Sequence, residues 1–157
     1  TMAIEIERKF LLANDGWRAL IERSAYMSQA YLGGTRCSTR VRIAGEDAWL
    51  NIKSLERGAA RLEYEYTIPV SEAREIIERL ADGPVVSKTR HYVRVQNHLF
   101  EIDEFDRENL GLIVAEIELA HSDEQFPRPD WLGTEVTADE RFYNVRLAQL
   151  PYSRWPR

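Results

Sequence analysis

The chain has 157 residues, 44% hydrophobic and 30% charged, which excludes a disordered chain and suits one domain over 1–157. Acids outnumber bases by 26 to 21, a formal charge of -5, which argues against nucleic acid as a partner because that role needs a broad basic face. Cys37 stands alone and forms no zinc-finger spacing with the three histidines, so a disulfide framework is excluded and a reducing cytoplasm is the expected location. No apolar run approaches the roughly 20 residues that cross a bilayer, and no signal-peptide pattern is present, so no membrane is expected. Thr1 before Met2 reads as a tag remnant, with Met2 the natural start.

From Ala3 to Leu12 apolar and charged residues alternate, Ile4 and Ile6 on one face and Glu5, Glu7 and Lys9 on the other, which predicts a strand. Asn14 and Asp15 then predict a capped helix from Trp17 to Ser24, with Trp17, Leu20 and Ile21 on one face. Tyr26 to Leu32 reads as a strand closed by Gly33-Gly34. Ser38 to Ala44 and Ala48 to Leu55 read as a hairpin turning at Gly45-Glu46-Asp47. A loop from Glu56 to Ala60 precedes a strand from Arg61 to Pro69.

Ser71 opens a predicted amphipathic helix to Ala81, with Ile76, Ile77 and Leu80 inward, stopped by Asp82-Gly83-Pro84. Val85 to Val95 and Leu99 to Phe105 form a predicted hairpin about Gln96-Asn97-His98. Strands follow at Leu112 to Leu119 and near Glu135 to Thr137, and a helix from Asp139 to Gln149 ends the series. Many antiparallel strands and few helices predict an α+β, barrel-like domain.

Paired charges carry the functional signal. Arg40 and Arg42, Glu63 and Glu65, Lys88 and Arg90, Glu101 and Asp103, and Glu116 and Glu118 are each spaced by two, and Lys53 lies two beyond Asn51. The plain reading is an antiparallel sheet with one face in water. Like charges on one face repel, however, unless something lies between them. Carboxylate pairs suggest a divalent cation, and cationic pairs a polyanion. Both are accommodated if the sheet closes into a barrel with its charged face inward and helices covering the apolar outside. Hard oxygen ligands suit Mg²⁺ or Mn²⁺ rather than zinc, and the cations suit a chain of phosphates. No phosphate-loop glycine motif is present.

Glu5-Ile6-Glu7-Arg8-Lys9 resembles the E-x-E-x-K signature of the CYTH superfamily, the triphosphate tunnel metalloenzymes. Arg40-Val41-Arg42, the Lys53 strand, Glu63-Tyr64-Glu65, Lys88-Thr89-Arg90, Glu116-Ile117-Glu118 and Glu135-Val136-Thr137 follow in the order of that family. The resemblance implies an eight-stranded antiparallel closed barrel that acts on a triphosphate with Mg²⁺ or Mn²⁺. It implies metal ligation by Glu5, Glu7, Glu116 and Glu118, with Glu63 and Glu65 as further ligands, and phosphate binding by Lys9, Arg40, Arg42, Lys53, Lys88 and Arg90.

Gln29-Ala30-Tyr31-Leu32 with Lys88-Thr89-Arg90 is most similar to the short bacterial tripolyphosphatases, in which a tyrosine and a lysine act as a dyad. On that likeness Tyr31 orients Lys88, and Lys88 either deprotonates water or stays charged as a phosphate clamp; the plain reading of Tyr31 is a space-filling barrel residue. Adenylyl cyclase, thiamine or nucleoside triphosphatase, and non-catalytic polyphosphate binder stand as alternatives to a tripolyphosphatase. Glu101 and Asp103 rank below the other acid pairs, as groups that orient cations. Arg94 is expected to extend the cradle, and Trp17, Trp49, Trp131 and Trp155 are expected to pack. An apolar barrel exterior also makes a homodimer an expected assembly.

Overall fold

In a computed structural model, described for residues 4–33, 36–55 and 59–156, the strands are β1 Ile4–Leu12, β2 Ile21–Leu32, β3 Cys37–Ala44, β4 Asp47–Ser54, β5 Ala60–Ile68, β6 Asp82–Val95, β7 His98–Phe105, β8 Ile113–Leu119 and β9 Leu132–Glu135. Helix α1 spans Val70–Leu80 and α2 Asn144–Gln149. The expected start at Met2, the second glycine of the Gly33-Gly34 pair and the Glu56 to Gly58 part of the expected loop lie outside the described residues.

The sheet runs β5-β4-β3-β2-β6-β7-β8-β1-β9, and a further β5–β1 pairing closes the first eight strands into an antiparallel barrel. Strand β1 makes the closure by changing partners along one edge. Ile4, Glu5 and Ile6 pair with β5, whereas Phe10 and Leu12 pair with β9. Its other edge carries β8 from Ile6 to Phe10. A side chain at Gly133 of β9 would meet the Leu11 carbonyl at 2.7 Å, so this close approach needs glycine.

Alternation decides which way each residue faces. Phe10, Val93, Phe100, Ile102, Ala115 and Ile117 point out of the barrel and are buried under Trp17 and Trp131. Val41 and Ala48, on β3 and β4, are covered by Ala73 of α1, with Ile76 and Ile77 packed alongside. The inward face is charged along most of its length, but two residues further on it turns apolar. Leu11 follows Lys9, Phe105 follows Asp103, Val86 precedes Lys88 and Val114 precedes Glu116. These apolar residues gather with Phe142, Leu147, Ala148 and Trp155. Helix α1 therefore lies outside the wall as expected, as does the segment carrying Trp17, whereas α2 closes one end of the lumen.

Several local expectations are corrected. The segment expected as a helix from Trp17 to Ser24 is a 3-10 turn, Gly16–Leu20, followed by strand. From Ile21 onward β2 pairs with β6, and that ladder outweighs a weak helical periodicity. Asn14 accepts the Gly16 amide at 2.9 Å, while Asp15 caps nothing. Ser71 lies inside α1, whose first turn follows Pro69, and Leu80 is 65% exposed rather than inward. Asp82-Gly83-Pro84 does end the helix, but it already belongs to β6. The last helix is broken at Tyr143, with a 3-10 turn Glu140–Phe142 before it and α2 after it. Among the described residues no helix is long and apolar enough to cross a membrane.

Candidate functional site: a charged tunnel

The inward face encloses a cavity of about 530 Å³. Every residue expected to hold metal or phosphate, and Tyr31, lines it: Glu5, Glu7 and Lys9 from β1, Tyr31 from β2, Arg40 and Arg42 from β3, Lys53 from β4, Glu63 and Glu65 from β5, Lys88 and Arg90 from β6, and Glu116 and Glu118 from β8. Pairs spaced by two in sequence converge because a closed barrel has one interior.

Most of the cations are held by acids. Lys9 Nζ lies 2.9 Å from both Glu7 and Glu116. Burial works against its charge, but Glu116 and Glu7 raise its pKa above the ordinary value. Lys53 meets Glu5 at 3.0 Å and Glu63 at 3.4 Å. Arg90 donates to both oxygens of Asp103, at 2.7 and 2.9 Å, and to Glu101 at 3.1 Å. Asp103, buried beneath the cavity wall, also takes Lys88 Nζ at 2.7 Å. The sequence reading of Asp103 and Glu101 as groups that orient cations matches these contacts.

Arg40 and Arg42 differ. Among the described residues neither makes an ion pair; Arg42 Nε donates to the neutral amide of Gln29 at 2.9 Å, and Arg40 Nε is buried without a partner. Burial, with Arg40 and Arg90 nearby, lowers the Arg42 pKa to about 10, so the group remains charged at neutral pH. Two guanidinium groups two residues apart, neither in an ion pair among the described residues, leave a positive field in the lumen. An orphaned buried donor also costs free energy unless a ligand takes it.

The opposite wall has excess acid. Burial raises the pKa of Glu118, with Glu5, Glu7 and Glu101 adding to it. Burial likewise raises Glu101. Burial and the neighbouring Glu63 push Glu5 up, while Glu63 is lowered as burial is overcome by Glu5, Lys53 and Arg40. Carboxylates that hold protons more tightly than usual through burial and mutual repulsion offer places where a divalent cation can replace the proton. Among the described residues no group of three acids is yet gathered on one point, because Lys9 bridges Glu7 and Glu116 and Lys53 bridges Glu5 and Glu63. The donor set, all oxygen, fits Mg²⁺ or Mn²⁺.

Other lining residues are not among those expected to form the site. Trp49, expected only to pack, and Tyr92 face the lumen by simple alternation. Arg61, Tyr143 and Asn144 line it too, and Asn51 donates to Glu63 and Glu65 at 3.2 and 2.7 Å. Alternation within β4 and β6 signals Asn51, Trp49 and Tyr92. No local signal marks Asn144, which reaches the site only through the plug. Arg94 leaves the lumen, lying 3.6 Å from Glu22 in an exposed pair. Tyr31 does not bond Lys88 directly; its hydroxyl takes Gln29 Nε2 at 2.9 Å.

A closed antiparallel barrel whose lumen sets a row of acids against a row of cations defines a tunnel-type anion site. Residues 3–145 match the CYTH domain, and the chain belongs to the CYTH family. It is 40% identical over 154 residues to an inorganic triphosphatase of Acetivibrio thermocellus, covering 98% of this chain and 99% of that one. It is 35% identical over 150 residues to an inorganic triphosphatase of Nitrosomonas europaea, covering 92% and 96%. The crystal structure of the inorganic triphosphatase NE1496 superposes with a TM-score of 0.64 at 34% identity, covering 92% of this chain and 97% of that one.

Proposed function

We propose that the chain hydrolyses inorganic triphosphate to phosphate and pyrophosphate, with Mg²⁺ or Mn²⁺ as cofactor. The observation that carries this reading is the Arg40–Arg42 pair, Arg40 buried and Arg42 half-buried, neither in an ion pair among the described residues, facing an acid-rich wall across the barrel's cavity. Relatives at 40% and 35% identity that carry the name inorganic triphosphatase support it.

In this reading Glu5, Glu7, Glu116 and Glu118 hold the metal, with Glu63 and Glu65 as further ligands. The metal supplies charge neutralisation on the phosphate oxygens when bound. Arg40 and Arg42 grip those oxygens in forked geometry, and Lys9, Lys53 and Arg90 complete the cradle. Preorganised charge of this kind stabilises what develops in the transition state without reorganisation of solvent.

Lys88 is the base. Burial lowers its pKa to about 7 against the pull of Asp103, with Arg90 and Arg42 lowering it further, so much of it is neutral near pH 7. The neutral amine takes a proton from water as the water oxygen bonds to a terminal phosphorus and the bridging P–O bond breaks, in line, to release pyrophosphate. Tyr31 accepts from Gln29, which leaves its own hydroxyl hydrogen to donate to a phosphate oxygen in the lumen. Ion chromatography of the products from tripolyphosphate tests this: phosphate and pyrophosphate in equal amounts are expected, and tight binding without cleavage would make the protein a polyphosphate binder instead.

A further inference from the structure

A buried chain of amide contacts joins groups that belong to different strands. Gln29 of β2 is wholly buried. Arg42 Nε can only donate, and it meets Gln29 Oε1 at 2.9 Å, which fixes the orientation of that amide. Gln29 Nε2 then donates to Tyr31 Oη and to Asn144 Oδ1, both at 2.9 Å. The same Asn144 oxygen accepts Lys88 Nζ at 2.9 Å. Lys88, Tyr31 and Arg42 are thus tied together through one glutamine and one asparagine, the latter 115 positions further along the chain.

This arrangement does more than closing the barrel requires. The plug is made by Leu147 and Ala148 of α2, buried with Val86, Phe105 and Val114. Asn144 instead lines the charged cavity. With Asp103 as its only acceptor, the Lys88 amine would be free to swing about a single bond. The second acceptor, Asn144 Oδ1, gives it a direction.

We propose that Asn144 is a positioning residue for hydrolysis: through Lys88 directly, and through Gln29 to Tyr31, it fixes both groups against the reacting phosphoryl group. Helix α2 is then part of the catalytic apparatus as well as its cover. The inference rests on the triphosphatase reading above.

The test is steady-state tripolyphosphate hydrolysis with Mg²⁺ or Mn²⁺ across pH, by the full chain and by Asn144→Ala and Asn144→Asp. Misplacing a reacting group by a fraction of an ångström to 1 Å costs about 10- to 100-fold in rate. Asn144→Ala is therefore expected to lower kcat by about that factor with KM changed less than about threefold. Losing an acceptor disfavours the ammonium, so the acid limb of its kcat profile moves to lower pH. Asn144→Asp keeps an acceptor and adds negative charge, so it retains more rate than the alanine variant and moves the limb to higher pH.

A purely structural role would lower the amount of folded enzyme and leave both limbs in place, and that result overturns the proposal. So does an alanine variant with unchanged kcat and limb. If the alanine variant does not fold, the aspartate variant decides by itself: a raised limb supports the proposal and an unmoved one overturns it. Failure of the unmodified chain to cleave tripolyphosphate would overturn the triphosphatase reading itself, and the two failures are distinct.

Discussion

Lys88 and Asp103 meet at 2.7 Å with neither side chain exposed to solvent. A buried ion pair normally keeps its lysine charged, but Asp103 is already committed to Arg90 through both of its oxygens. The single carboxylate thus serves two cations. Burial, Arg90 and Arg42 prevail over Asp103, and Lys88 is left with a pKa of about 7. A lysine so lowered suits the role of base that the proposed mechanism gives it.

This sets the sign of the pH dependence. A base must be neutral, so kcat for tripolyphosphate should rise with pH through about 7. A lysine that acts only as a charged clamp predicts the reverse, a fall through the same range. Lys88→Gln should lower kcat by about 10²- to 10⁴-fold, the usual contribution of a general base, and should remove that limb. Rate profiles of the two proteins decide the matter.

Arg40 and Arg42 should dominate affinity. A hydrogen bond to a charged group contributes about 1.5–3 kcal/mol, so Arg40→Ala or Arg42→Ala should weaken tripolyphosphate binding roughly 10- to 150-fold. Lysine at either position should recover little, because it lacks the forked donor geometry. Titration calorimetry at fixed metal concentration measures both effects.

Metal and protons should compete for the acid wall. Glu118 and Glu101 both have raised pKa values, caused first by burial. Divalent-ion affinity should therefore decline as pH falls through the carboxylate range, and binding should release protons. Chelation with EDTA should abolish turnover, and Glu118→Gln should raise the metal concentration needed for half-maximal rate. Activity against free Mn²⁺ at two pH values checks the first point and the variant checks the last.

Stability should follow the outward core rather than the helix pattern. Phe100 is fully buried, with its ring edge against Trp131 at 5.2 Å between centroids, so Phe100→Ala should cost about 3–5 kcal/mol. Leu80→Ala should stay within about 0.5 kcal/mol, since that residue is largely solvated. Urea midpoints of the two variants separate the expectations.

The strands were legible because each carries a period of two that a barrel must keep, and the same period placed Glu5, Arg40, Lys88 and Glu116 on one face. What alternation does not carry is how elements meet. Trp17, Leu20 and Ile21 suit a helical face, yet Ile21 pairs with Val93 in the β2–β6 ladder. Leu80 completes an apolar spacing, but α1 packs on Val41 and Ala48 through Ala73, Ile76 and Ile77, and Leu80 at its end stays 65% exposed. The plug was half-written in Leu11, Val86, Phe105 and Val114, whose apolar character breaks the inward charge pattern at one end. Asn144 was not legible at all: it follows the break at Tyr143, and its meaning depends on contacts with Gln29 and Lys88. Which cations are neutralised and which are left for a ligand likewise depends on closure, and so the contrast between Lys9 and Arg40 emerges only in the folded chain.

A tunnel built to cleave a small, densely charged triphosphate should rank its substrates accordingly. Initial rates of phosphate release from tripolyphosphate, ATP and thiamine triphosphate, each with Mg²⁺ or Mn²⁺, test this most directly, with cyclic AMP measured alongside. Tripolyphosphate should be cleaved fastest, without cyclic AMP from ATP. Equal or reversed rates, or formation of cyclic AMP as the main product, would contradict the account.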